Sequence, residues 1–201
     1  CATSQPALAA TETAGTWSAN ARYRHEYVDD DAFARSASAD TLRLRLGWSR
    51  SFASGLSLGL EGEGVAELGN RFNSGANGET TFPAVADARA LEINQAWVGW
   101  RGGRSGVALG RQRIVLDNQR FIGNVGWRQN EQTFDAIALD AKPHEKLAAR
   151  YYWLDRVHKV GGDDAIDPLA RERNLDAHLG NLAWTLPLGT LVGYAYLVED
   201  R

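Results

Sequence analysis

Apolar and polar residues alternate one by one along much of the chain. In the clearest run Leu42, Leu44, Leu46 and Trp48 fall on one side, and Thr41, Arg43, Arg45, Gly47 and Ser49 on the other. A period of two predicts a β-strand with one apolar and one polar face. Residues 17 to 27 behave likewise: Trp17, Ala19, Ala21, Tyr23 and Tyr27 oppose Ser18, Asn20, Arg22, Arg24 and Glu26, with His25 the polar exception. Leu56, Leu58 and Leu60 oppose Ser57, Gly59, Glu61 and Glu63. Weaker strands are read at 90–101, 106–116, 132–142, 147–156, 174–185 and 190–199, which makes nine. The phase slips at Asn94-Gln95, where a β-bulge is predicted.

The connections alternate too. They are short around Ala53-Ser54-Gly55, Gly102-Gly103-Arg104, Pro143-His144 and Pro187-Leu188, and long at 28–40, 69–89, 117–131 and 157–173. A two-ended layout of short turns and long loops is that of an antiparallel, up-and-down transmembrane β-barrel, with turns on the periplasmic side and loops outside. Trp17 and Tyr27 share the apolar side ten residues apart. At roughly 3.3 Å per residue and a tilt of about 40° they stand about 25 Å apart along the membrane normal, the separation of two aromatic girdles. Trp48, Trp100, Tyr151, Trp153 and Trp184 also fall near predicted strand ends.

With the Leu and Trp side toward lipid, the pore-lining set is Arg22, Arg24, Arg43, Arg45, Glu61, Glu63, Glu92, Arg111, Arg113 and Arg150. The four arginines of the first two strands form a basic ladder beside an acidic stripe from Glu61 and Glu63. Such stripes either hold solute ions or neutralise one another as a wall network.

Apolar residues make up 44% of the 201-residue chain and charged residues 23%, and no stretch approaches the roughly 20 apolar residues of a membrane helix. Of 22 basic residues all but Lys142, Lys146 and Lys159 are Arg, whose planar fork suits carboxylates and phosphates. The chain contains no Met, and Ala7-Leu8-Ala9 has the small-residue pattern of a signal-peptidase site. Residues 1–15 are therefore expected to be a signal-peptide remnant and leader, with the barrel over 16–201; Cys1 as a lipidated first residue is the rival reading. An odd strand count with no closing partner predicts the N-terminal part of a barrel of about 16 to 18 strands, which would enclose an aqueous lumen.

The segment Asp117 to Gln132 lacks alternation and combines Arg120, Phe121, Trp127 and Arg128 with several amides. Arg120, Trp127 and Arg128 are the candidate solute contacts, although the same groups could satisfy the loop's own backbone. Asn94-Gln95-Ala96, Gly110-Arg111-Gln112, Gln119 to Gly123, Trp127 to Asn130 and Gln132 to Ala136 resemble the alginate export family of outer-membrane porins, most closely over residues 90–140. The resemblance implies a barrel of about 18 strands and a passive channel with an Arg-lined pore, in its best-known branch for the acidic polysaccharide alginate. It carries a pore role onto Arg111, Arg113, Arg120 and Arg128. The chain departs from a strongly basic pore through Glu61, Glu63, Glu92 and its few Lys.

Gly55-Leu56-Ser57-Leu58-Gly59 fits the G-x-S-x-G nucleophile pattern, but Ser57 lies inside an alternating strand and not on a strand-turn-helix elbow. Asp29-Asp30-Asp31 and Asp163-Asp164 read as solvated loop clusters, and His25, His144, His158 and His178 show no metal spacing. No enzyme, cofactor, metal or nucleic-acid partner is expected. The partners expected are outer-membrane lipid, lipopolysaccharide and an anionic or sugar-derived solute. A non-transporting surface barrel, a receptor or adhesin, is the alternative class.

Overall fold

In the computed structural model, which describes residues 14–201, the chain forms a single nine-stranded antiparallel sheet in simple sequence order. The strands are β1 (Thr16–Val28), β2 (Ala37–Ser51), β3 (Leu56–Glu67), β4 (Ala90–Gly102), β5 (Ser105–Gln112), β6 (Thr133–His144), β7 (Leu147–His158), β8 (Glu172–Leu186) and β9 (Gly189–Asp200). β1 and β9 do not pair with each other, so the sheet is an open arc. Residues 1–13, with the signal-peptidase pattern and Cys1, lie outside the described residues. One four-residue helix, α1 (Pro168–Arg171), interrupts the last long connection; Asp167 caps it by accepting from the Leu169 N–H.

Short connections (52–55, 103–104, 145–146 and 187–188) alternate with long ones (29–36, 68–89, 113–132 and 159–171). The third turn falls at Glu145-Lys146 and not at Pro143-His144, because β6 runs on through His144. The bulge is where the alternation places it: Glu61 pairs with Gln95 and Gly62 with Ile93, leaving Asn94 as the extra residue.

Burial is inverted relative to a water-soluble sheet. One face is bare and apolar: Trp17 is 77% exposed, Leu46 66%, Leu91 88% and Leu197 70%. In water such a continuous patch would be untenable; against lipid it is what a spanning sheet presents. The other face is covered by two long loops. Phe72, Phe82 and Val85 from 68–89 pack on Ala37 and Ala39 of β2. Ile114 and Leu116 from 113–132 pack on Phe134, Ala136, Leu154, Val157, Ala177 and Leu179 of β6 to β8. The alternation thus has the sense the sequence implied, with Arg43 buried and its neighbours Leu44 and Leu46 bare.

Trp17 and Trp48 are register partners at the short-turn end, where Trp100 and Trp184 also lie, while Tyr23 and Tyr27 stand bare toward the long-loop end. Tyr151 and Trp153 sit in mid-strand, away from either girdle. Their polar tips are met across the sheet instead, by His178 Nδ1 at 2.6 Å and Asp176 Oδ1 at 2.9 Å.

β5 ends at Gln112, four residues before the alternation does. Gly110 takes a φ of +119°, and a Cβ there would lie 2.3 Å from the Ala96 carbonyl oxygen, so only glycine fits. Beyond it the chain leaves the wall, and Ile114 and Leu116 turn into the loop-covered cluster.

Leu44→Arg, on the bare face about midway between Trp17 and Tyr27 in register, is expected to cost about 2–4 kcal/mol where that face meets the bilayer interior. Urea titration of the protein folded into phosphatidylcholine vesicles measures this, and a cost near zero would put that face in water.

Candidate functional site

Strand alternation forces Arg22, Arg24, Arg43 and Arg45 onto one patch of the loop-covered face, with Arg22 and Arg43 direct register partners. Like charges at this spacing repel unless anions or carbonyls are interleaved. The structure supplies both. Arg45 is paired with Glu63, which is 1% exposed and its register partner on β3, and its Nη1 lies 3.3 Å from Glu131 Oε1. Arg24 is paired with Asp87 and with Glu26. Arg22 donates to Gln129 Oε1 at 2.9 Å, to the Gly126 carbonyl at 3.0 Å and to the Arg128 carbonyl. Arg43 donates to Asn20 Oδ1 at 2.6 Å and to the Gln129 carbonyl at 3.3 Å.

Two loop residues hold the assembly. The buried Gln129 amide donates to the Thr41 carbonyl at 3.0 Å and Oγ1 at 2.9 Å, and the Gln129 backbone N–H reaches Asp87 at 3.1 Å. The buried Glu131 carboxylate receives Arg113 Nε at 2.9 and 2.8 Å, Asn94 Nδ2 at 2.7 Å and Asn124 Nδ2 at 2.6 Å. Asn94 reaches it because the bulge turns both Asn94 and Gln95 to this side; they also donate to Glu61, at 2.6 and 3.2 Å. Burial pushes the Glu131 carboxyl up, but the Arg113 guanidinium outweighs it and, with Arg45 and Asn94, holds the group below the ordinary carboxylate range. The loop also carries backbone strain: Val125, β-branched, has a φ of +52°, held by the 2.7 Å bond from Gln132 N–H to the Asn124 carbonyl.

Of the residues singled out in the sequence, Arg22, Arg24, Arg43, Arg45, Glu61, Glu63, Arg113 and Arg128 are therefore brought together. Of the two readings of the charge stripes, the geometry here is that of a wall network. Arg128 is only 15% exposed, 3.1 Å from Glu26, with its guanidinium 4.2 Å above the Trp127 ring. Trp127 itself is exposed. Glu92 is the register partner of Glu63 on the same side.

Arg111 departs from the expected face. Its register partners are Ala96 and Asp135, and it shares the strand side of Val107 and Leu109, the bare one. It is paired with Asp135 at 3.0 Å, and Asp135 also meets His158 Nε2 at 2.8 Å. Arg111 and Arg113 share sequence parity, but Arg113 lies beyond the strand end at Gln112, which lets it turn inward.

Arg120 and Arg150 stand apart from the network. Both are exposed, and neither forms an ion pair among the described residues. Arg150 lies on the side of Tyr152 and Leu154, in register with Asp140 and Asn181, close to the short-turn end. Arg35 and Arg71, likewise exposed and outside any ion pair, flank a cleft of about 680 Å³ among the loops at the opposite end. Among the described residues no group of His, Cys, Asp and Glu is placed to hold a metal.

Glu131 and Asp87 were not singled out in the sequence, and Glu26, Asn94 and Gln129 were named there only as strand or family-motif positions, not as site residues. Glu131 had one available signal: it and Asp117 are the only carboxylates in the segment 117–132, which faces a wall with four arginines to neutralise.

Glu131→Gln removes the charge that Arg45 and Arg113 share, and breaking a buried pair in this way typically costs about 3–5 kcal/mol. Faster proteolysis within 113–132 and a lower urea midpoint are expected at neutral pH; an unaltered loop would show that the carboxylate does not anchor it. Because the folded carboxyl titrates below its unfolded value, this anchorage is complete above the ordinary Glu range, near about 4.3, and is lost as pH falls through the depressed value.

A family model described as Alginate export matches residues 15–161. No curated protein matches the sequence. Among solved structures, Acinetobacter baumannii OccAB1 is similar with a TM-score of 0.67 at 17% identity, over 93% of this chain and 45% of that one. A BenF-like porin from Pseudomonas fluorescens Pf-5 gives 0.60 at 15% identity, over 91% and 50%. Pseudomonas aeruginosa OccK2 (OpdF), in complex with glucuronate, gives 0.57 at 13% identity, over 93% and 46%. The chain thus spans about half the length of these relatives, which share its fold.

Proposed function

The chain belongs to the alginate export family and to the bacterial outer membrane, and from that membership we propose that it forms part of the wall of a passive channel for anionic solutes, sugar acids among them. The observation that carries this reading is which cations are left over. The basic ladder of β1 and β2 is consumed by its own anions and loop carbonyls, so it shapes the wall and does not conduct. Among the described residues the exposed cations outside ion pairs are Lys142 and Lys146 beside a short turn, Arg171, which donates to the Ala165 carbonyl, and four further arginines: Arg35 and Arg71 at the long-loop end, Arg120 on the inward loop and Arg150 near the short-turn end. These four mark a descending series of guanidiniums, each able to take a carboxylate bidentately and release it.

The glucuronate complex of OccK2 supports a carboxylate-bearing solute. The inward packing of 68–89 and 113–132 favours a channel over a receptor or adhesin, for which long loops would project outward. Lipid and lipopolysaccharide cover the bare face.

A planar bilayer containing the whole protein, under a salt gradient, should give a reversal potential of anion-preferring sign. Arg120→Glu and Arg150→Glu should each move it toward cations. Cation preference in the unaltered protein, or no movement in either variant, would reject the assignment.

A further inference from the structure

Arg120 sits beside a feature that the charge network does not use. Tyr194 and Tyr196 project from β9 onto the loop-covered side, as register partners of the buried Asn181 and Leu179. Their rings stack with centroids 5.0 Å apart and an interplanar angle of 26°. Phe121, at the tip of the inward loop, approaches Tyr194 to 5.5 Å and Tyr196 to 6.3 Å, and the Arg120 guanidinium lies 5.7 Å from the Phe121 ring. These groups line a half-open cavity of about 320 Å³, together with Leu116, Ile122 and Val192.

The volume is at the lower end for a ligand pocket, suited to one ring and not to a length of polymer. Its lining is three aromatic rings, three aliphatic side chains, Asn118, Asp117 and one cation, Arg120, that is in no ion pair among the described residues. Asp117, the carboxylate at the edge, is engaged by Asn181 Nδ2 at 3.0 Å. A polyhydroxylated sugar would set hydroxyls against Leu116, Ile122 and Val192, where they find no partner, each at a cost. A planar ring gains area burial and face-to-edge contact with Phe121 and Tyr194.

We propose that Phe121, Tyr194 and Tyr196 form a stacking subsite for a single-ring aromatic monocarboxylate, whose carboxylate is taken by Arg120. The inference rests on the anion-channel reading, and narrows it from any acidic solute to one with a flat ring.

The test uses the whole protein in a planar bilayer, with benzoate, cyclohexanecarboxylate and glucuronate added separately as blockers of the chloride current. Benzoate is expected to block at the lowest concentration. Phe121→Leu and Tyr194→Leu, which keep an apolar side chain while removing the ring, should each weaken benzoate block roughly two- to tenfold and leave cyclohexanecarboxylate block little changed. Arg120→Gln should weaken all three. Equal block by benzoate and cyclohexanecarboxylate, or benzoate block indifferent to both Leu variants, overturns the subsite while leaving an anion channel standing. An unaltered protein that does not prefer anions overturns the reading beneath it.

Discussion

A bilayer has no water to satisfy a charged side chain, so the charges on these strands crowd onto the face turned away from lipid, and those on the bare face are paired with one another, as Arg111 is with Asp135 and His25 with Asp40. From that constraint follows the crowding of Arg22, Arg24, Arg43 and Arg45 on two adjacent strands, and from the crowding follows the loop. Residues 113–132 bring Glu131, the Gln129 amide and three backbone carbonyls to groups that would otherwise repel one another. The loop is thus held by the wall's electrostatics as much as by the apolar contacts of Ile114 and Leu116. The buried pairs need not add net stability over an apolar equivalent. Their role is registry: a forked Arg with fixed partners admits one loop position.

Most of the sheet was legible because lipid on one side makes the alternation strict. Leu42 to Trp48 and Trp17 to Tyr27 gave strand, face and phase together, and the Asn94-Gln95 slip gave the bulge. The family followed from short motifs between residues 90 and 140, inside the span the family model matches. What could not be read depended on contacts between residues far apart. Arg111 and Arg113 were both placed on the pore side, but the strand ends between them, at Gln112, and only Arg113 turns inward. Tyr151 and Trp153 looked like girdle residues, but the real length of β7 places them in mid-strand.

The loop posed the harder problem. Its composition suggested solute contact or self-satisfaction, and the second is what the residues around Gln129 and Glu131 do. Arg128 is spent on Glu26 and Trp127, whereas Arg120, eight residues earlier, is exposed and in no ion pair among the described residues. Nothing local distinguishes two arginines each beside an aromatic residue. The difference lies in what the facing strand offers: carboxylates opposite Arg128, tyrosine rings near Arg120.

The anchoring of Gln129 to Arg22 spans 107 positions in sequence. Contacts of such separation form late, because the entropy of closing so long a segment is recovered only after the intervening elements are ordered. The inward loop therefore has no destination until β1, β2 and β3 are already zipped together. Until then Glu131 and its partners remain hydrated, and the space they will occupy stays open. The covering of this face of the sheet is in that sense a closing step of assembly, taken after the sheet has acquired its shape.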